Sequence, residues 1–160
     1  KIIDAGNGNQ MDTAFREGEG QYIHQQGPAP QQLAADGVGH VLAQLGPTIG
    51  ACGFSSLAAT PAWLATNTAR AFTRAYIKTR DYMNDASASE IAKAEKPLFP
   101  DIDLEVLTDC IATYQAMGCW TRHIDITQEG YDAMLDIFEY DGKLPHRYSY
   151  NQVCAPPPAI

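Results

Sequence analysis

Short apolar runs separated by glycine and proline dominate the first third of the chain. Four of these runs have the length and alternation typical of strands, and two amphipathic segments between them are typical of short helices. The predicted strands cover residues 1–5, 21–25, 38–45 and 49–54, and the predicted helices cover 11–17 and 30–36. Because strand and helix alternate, this part of the chain is expected to form an α/β layer.

From residue 60 onward, apolar positions recur every three or four residues, which is typical of helices packed on a core. Side chains that can accept a hydrogen bond from the first helical turn precede most of these segments. The predicted starts are Thr60 before Pro61, Asn67, the capping box from Ser87 to Glu90, Asp103 and Thr127. The helices that follow are expected to end near residues 65, 85, 95, 118 and 142. A final edge strand is expected at 147–153, followed by a stiff, extended tail with Pro156, Pro157 and Pro158.

The longest predicted helix, residues 67–85, has two distinct sets of side chains. Spacings of three and four residues predict that its core-facing stripe consists of Phe72, Ala75, Tyr76, Tyr82 and Met83. Its cations lie mostly away from that stripe, at Arg70, Arg74, Lys78 and Arg80. A basic face of this kind is either a solvated helix surface or a surface for a partner.

The charge and length of the chain narrow the possible functions. A net charge of −8 and a pI near 4.8 disfavour a nucleic-acid binder, which needs a basic stripe. At 160 residues the chain can bury a core. It contains no apolar run of the roughly 20 residues needed to span a bilayer. Because it opens inside a predicted strand without an initiator methionine, we expect a mature or truncated piece of a longer protein.

The four cysteines do not form a metal-binding pattern. Cys52, Cys110, Cys119 and Cys154 give no C-x-x-C pair and no zinc spacing. Apolar or small neighbours favour buried thiols at Cys110 and Cys154, while a disulfide from Cys119 to either of them stays possible in an oxidising compartment.

Catalytic motifs are incomplete. Gly53, Phe54 and Ser55 resemble the start of a nucleophile elbow, but the closing glycine is missing. The four histidines are scattered, without carboxylate partners at metal-ligand spacing. The sequence therefore predicts no catalytic residue, no metal site and no cofactor.

Two polar stretches are the best candidates for binding. His24, Gln25 and Gln26 end a predicted strand just before the break at 27–30, and such strand ends commonly face a crevice in open α/β sheets. The second stretch, Gly8, Asn9 and Gln10, forms a turn into a helix, where backbone N–H groups favour an anionic or strongly polar group.

Four blocks resemble the periplasmic substrate-binding proteins of ABC transporters, in the nitrate, sulfonate, taurine and thiamine-pyrimidine-precursor branch. The first is AFREGEGQY at 14–22 with the proline-containing break GPAP at 27–30, and the second is AFTRA at 71–75. The third is ATYQAMGCW at 112–120, and the fourth is ITQEGY at 126–131. The blocks follow the order and spacing of that family, and together they extend over nearly all of the chain.

The resemblance implies a type II periplasmic-binding-protein-like α/β lobe, followed by a helical C-terminal part and lacking the N-terminal lobe. Residues 1–56 would be the second-lobe segment with a return hinge, and 57–160 would pack on the first lobe. The expected function is the binding of a small polar or anionic organic solute in an interlobe cleft, with Phe54 and Ser55 contributing from the return crossing. The implied partners are a membrane permease and a missing lobe or swapped dimer partner, and the implied location is periplasmic.

Two rival functions remain open at this stage. A pyrimidine-precursor synthase resembles the same fold family, but its cysteine-rich motif and cofactor lysine are not evident here. A structural or interaction protein that reuses the half-fold is the other alternative.

Overall fold

The computed structural model describes all 160 residues and contains helices but no β-strand. Nine α-helices and one 3₁₀ turn follow each other along the chain. They are α1 (Gly8–Arg16), α2 (Ala29–Ala35), α3 (Gly46–Ile49), α4 (Pro61–Leu64), α5 (Asn67–Asp85), α6 (Ala88–Glu95), the 3₁₀ turn Lys96–Leu98, α7 (Leu104–Ala116), α8 (Gln128–Tyr140) and α9 (Tyr150–Val153).

The predicted α/β fold is therefore wrong, and so is the periplasmic-binding-protein-like lobe that the resemblance implied. Residues 1–5, 21–25, 38–45 and 49–54 form no ladder, residues 46–49 are helical, and the predicted edge strand is replaced by α9. A strand needs a neighbour for its backbone N–H and C=O groups, and no two of these segments pair. Apolar runs of four to eight residues do not by themselves distinguish a strand from other structure.

Helix starts were predicted more accurately than strands. Thr60 and Thr127 accept hydrogen bonds from the third residue of their helices, at 3.2 and 3.1 Å, and Ser87 forms a capping box with Glu90. Asn67 is not the cap of α5, because the Ala69 N–H donates to the Thr66 hydroxyl instead.

The chain forms two compact units. Unit 1 comprises residues 1–44 and 86–116, and its core forms where α6 and α2 pack on α7. Its buried side chains are Leu33 of α2, Ile91 and Ala92 of α6, and Val106, Leu107, Cys110 and Ile111 of α7. The burial of Cys110 confirms the prediction for that thiol, whereas Cys154 is only partly buried, and all four cysteines are free in the structure.

Unit 2 comprises residues 45–85 and 117–160. Its buried side chains are Ala69 and Thr73 of α5 and Tyr131 and Leu135 of α8. The core stripe predicted for α5 is wrong in part, because Phe72 is 46% exposed and the smaller Thr73 is buried in its place. The buried Thr73 hydroxyl is hydrogen-bonded, because it donates to the Ala69 carbonyl oxygen, 2.9 Å away. The division of the chain at residue 56 stays a prediction.

Apolar side chains remain widely exposed. Large hydrophobic residues between 38 and 57 in particular lie open, among them Leu42, Ile49, Phe54 and Leu57. Exposed apolar surface of this extent marks interaction sites in many proteins. None of the helices combines the length and apolarity required to cross a membrane.

Candidate binding site

The start of α1 is held by a reciprocal pair of hydrogen bonds. The Gln10 backbone N–H donates to Asn7 Oδ1 at 3.1 Å, and the Asn7 N–H donates to Gln10 Oε1 at 2.9 Å. This capping box satisfies two backbone donors and fixes the angle at which the chain enters the helix. Gly6 has a φ of 98°, and a Cβ at this position would collide with the Gln10 side chain. The turn therefore favours glycine at position 6, and the cap holds the Gln10 side chain against it.

One contact joins the two polar stretches that the sequence singled out. The Gln25 side-chain amide donates from Nε2 to the Gly8 carbonyl oxygen, at 2.6 Å. These residues are 17 positions apart, and both belong to unit 1. The segment before Pro28 therefore lies against the start of α1, although it is not a strand.

A shallow groove of about 290 Å³ runs along α1. Its lining residues are Asn9, Gln10, Thr13, Ala14 and Glu17. They recur at intervals of three and four residues, so they occupy one side of the helix. Because one helix supplies the whole lining, the groove provides a single wall and leaves the opposite side open.

The groove carries acceptors and a carboxylate, but no free cation. The arginine of α1, Arg16, donates to the carboxylates of Asp12 and Asp36 at 2.7 and 2.8 Å, and these bonds raise its pKa. Donation from Arg16, together with a bond from Gln32, lowers the pKa of Asp36. Glu17 remains exposed in the groove lining. Its negative charge favours solutes that bring a hydrogen-bond donor or a positive group.

Behind Gln25, the chain is anchored to α7. The Gly27 N–H donates to the Tyr114 hydroxyl oxygen at 3.0 Å. A Cβ on Gly27 would lie 2.5 Å from Cys110 Sγ and 3.0 Å from Tyr114 Cε2, so this backbone approaches α7 more closely than any other residue type allows. Burial raises the pKa of the Cys110 thiol to about 11, with Asp109 and Glu95 contributing in the same direction. Cys110 is thus a neutral packing residue.

The remaining predicted site residues do not line the groove on α1. They are His24, Gln26, Phe54 and Ser55. His24 and Gln26 are exposed, and the Gln26 carbonyl accepts from the Ala29 N–H at 3.2 Å. Phe54 and Ser55 lie exposed in unit 2, beside the bond from the Gly53 N–H to the Gly130 carbonyl. Their participation in one site with the residues of unit 1 stays a prediction.

Sequence reasoning did not identify Asn7, Thr13, Ala14 or Glu17 as members of the site. Two signals could have revealed them. An Asn followed three residues later by Gln is a capping-box pattern, which moves the helix start back from Met11 to Gly8. Once the helix is placed there, the spacing from Asn9 puts Thr13 and Glu17 on the same side. No group of three or more histidine, cysteine or acidic side chains is arranged to hold a metal ion.

Comparisons with known proteins give one informative match. The chain is similar to "Putative binding protein YtlA" of Bacillus subtilis (strain 168), with 28% identity over 143 residues. The match covers 88% of this chain and 43% of the relative, so the chain spans less than half of the length of that protein. No family model matches the sequence. No solved structure matches it either.

Proposed function

We propose that this chain is part of the solute-binding component of an ABC uptake system, and that it binds a small polar organic solute at the start of α1. The observation that carries the proposal is the 2.6 Å bond from Gln25 Nε2 to the Gly8 carbonyl. It joins two polar stretches that the sequence marked independently, and it holds Gly8, the first residue of the helix whose following residues line the groove.

Two further observations support a binding role. The four sequence blocks resemble solute-binding proteins of ABC transporters. The relative from Bacillus subtilis carries the words "binding protein" in its name, and its similarity extends over most of this chain. Both observations support a binding role in general. The uptake system, the periplasmic location and a permease partner are more specific parts of the proposal.

The groove favours an amine-bearing solute over a free anion. Glu17 offers a carboxylate, while the lining contains no arginine or lysine, and Arg16 is occupied by two aspartates. To bind an anion such as nitrate or a sulfonate, a site needs more cationic or N–H donors than negative groups. Among the solutes that the resemblance implies, a pyrimidine amine is therefore the best match, with Asn9 and Thr13 as additional hydrogen-bonding groups.

A second wall is required for tight binding. Small-molecule sites usually bury most of the ligand surface, and a groove on one helix does not enclose a solute. We propose that further residues of a longer protein, or a second copy of this chain, complete the site.

Isothermal titration calorimetry tests the proposal. The chain is titrated with a pyrimidine amine, taurine and nitrate, and the expected result is heat with the amine and at least about tenfold weaker binding of both anions. Gln25→Ala and Glu17→Gln should each weaken amine binding, whereas Gln21→Ala, at an exposed glutamine of the same segment, should not. Absence of heat with all three solutes at millimolar concentration, at which the weak binding expected of a single wall is measurable, would contradict the proposal.

A further inference from the structure

A second surface lies in unit 2, on the solvent side of α5. Its buried side is defined by Ala69 and Thr73, which are 0% and 5% exposed. With about 100° of rotation per residue, the opposite side of the helix is centred on Ala71 and Ala75, and both are exposed. We call the exposed side of residues 67–80 the outer face of α5.

One edge of the outer face is a row of cations. Arg70, Arg74 and Lys78 follow each other at intervals of four residues, so they stand in line with a rise of about 6 Å between neighbours. All three are exposed. Arg70 donates to the Asn67 side chain at 2.7 Å, and none of the three forms an ion pair with a carboxylate of this chain.

This row is unusual because the rest of the chain is acidic. No aspartate or glutamate occurs between Asp36 and Asp81, whereas the whole chain carries 19 acidic and 11 basic residues. The cations that lie elsewhere in unit 2 near carboxylates are paired. Arg122 bonds to Asp85, and Arg147 bonds to Asp136 at 2.6 Å. Unpaired cations on an otherwise acidic protein mark a surface that is complementary to negative charge.

The other edge of the outer face is aromatic. Phe72 is 46% exposed and Trp63 is 36% exposed, and their rings meet edge to face with centroids 5.9 Å apart. Phe72 also stacks on Tyr76, with centroids 6.1 Å apart. Contact with these neighbours holds the rings in place, so their exposed edges form a fixed apolar border.

Between the two edges, the small side chains of Ala71 and Ala75 leave a shallow strip. A second helix can approach a strip of small residues closely, with its own apolar side chains against the alanines and the aromatic border. Acidic side chains along one edge of that helix would then lie opposite Arg70, Arg74 and Lys78. Recognition of an amphipathic helix through residues at i, i+3, i+4 and i+7 is a common mode of peptide binding.

We infer that the outer face of α5 is a docking surface for an amphipathic helix of a partner protein that carries aspartate or glutamate along one edge. The row of cations is complementary to the acidic edge of that helix. The alanine strip and its aromatic border provide a surface on which the apolar side of a helix can pack. This interaction is separate from solute binding, since it uses a different set of residues in the other unit.

Binding of two designed peptides tests the inference. Both are longer than about 15 residues, so that they can be helical, and both carry leucines on one face. One has glutamate at its polar edge, and the other has lysine at the same positions. Fluorescence anisotropy of the labelled peptides should show that the glutamate peptide binds the chain at least about tenfold more tightly, with an affinity that falls as salt is raised.

Variants localise the interaction. The double variant Arg74→Glu and Lys78→Glu should abolish the preference for the glutamate peptide, and Phe72→Ala should weaken its binding without reversing the preference. Lys93→Glu, a reversal at an exposed lysine of α6, is the matched control and should bind like the wild type. Circular dichroism confirms that each variant is folded.

Three results would overturn the inference. They are equal binding of the two peptides, an unchanged preference in the Arg74/Lys78 double variant, and tighter binding to phosphatidylglycerol vesicles than to the glutamate peptide. The last result would identify the outer face of α5 as a lipid-binding surface instead.

Discussion

The backbone N–H of Gly27 donates to the hydroxyl oxygen of Tyr114, 87 positions later in the chain, at 3.0 Å. This bond attaches the segment that carries Gln25 to α7, the helix with the most buried side chains of unit 1. The site on α1 is thereby connected to a rigid core. Gln25 itself reaches back to Gly8, so one short segment links this core to the first residue of α1.

Tyr114→Phe tests the hydrogen bond that attaches Gly27 to α7. The variant leaves the part-buried Gly27 N–H without its acceptor, so we expect the free energy of unfolding to fall by about 1–2 kcal/mol. Urea denaturation gives the difference directly. Tyr82→Phe, at a tyrosine that is 45% exposed, should change the stability by less than about 0.5 kcal/mol.

Gly27→Ala tests the close approach to α7. The added methyl group would lie 2.5 Å from Cys110 Sγ, so α7 or the segment must move, at a cost of about 1–3 kcal/mol. Combining it with Cys110→Ala should recover part of that loss, because the sulfur is the nearest obstacle. Additive effects in a double-mutant cycle would show that the two positions do not contact each other.

Titration of Cys110 should make the free energy of unfolding fall at alkaline pH. Its pKa is raised from 9.0 to about 11 in the folded chain, so the folded state retains the proton longer than the unfolded state. Stability is therefore unaffected below pH 9 and falls as the pH rises toward 11, by about 2–3 kcal/mol at most. Unfolding measured from pH 8 to 11 should show a smaller slope for Cys110→Ala. Equal slopes for both proteins would contradict the burial of this thiol.

Lys96 holds the turn between α6 and α7. Its ammonium group donates to the carbonyls of Phe99, Pro100 and Ile102, at 3.2, 2.9 and 2.6 Å. We expect Lys96→Met to destabilise the chain by about 1–3 kcal/mol, because three carbonyls lose a charged donor. Lys93→Met, one turn earlier on the exposed side of α6, serves as the control in thermal unfolding and should be nearly neutral.

The sequence allowed accurate predictions where a local rule governs the structure. Thr60, Ser87 and Thr127 were recognised as caps because the bond that each makes is only three residues long. Gly37 and Gly142 end α2 and α8 as predicted, with φ values of 70° and 69° that a glycine adopts without strain.

Predictions that depended on distant partners were wrong or incomplete. Residues 21–25 and 38–45 have the composition of strands, but a strand is stable only beside another strand, and local pattern does not reveal whether one is present. The same limitation explains α5, where Phe72 was expected in the core but is 46% exposed, while Thr73, which the predicted stripe did not include, is buried. Which side of a helix is buried depends on its neighbours, and Thr73 is accommodated because its hydroxyl bonds to its own helix.

Half of the candidate site could be anticipated from composition. Gly8, Asn9, Gln10 and Gln25 were selected because uncharged polar groups clustered at chain breaks, and the structure brings Gln25 to Gly8. Thr13 and Glu17 were missed because their position beside Asn9 depends on where the helix begins, and that start was placed three residues too late.

The most direct test of solute binding at α1 is a titration of the ¹⁵N-labelled chain with a pyrimidine amine, followed by amide chemical shifts. The largest shifts are expected at the backbone amides of Gly8, Asn9, Gln10, Thr13 and Glu17 and at the side-chain amide of Gln25, and Gln25→Ala is expected to reduce them. Shifts confined to other parts of the chain, or no shifts at millimolar solute, would contradict it.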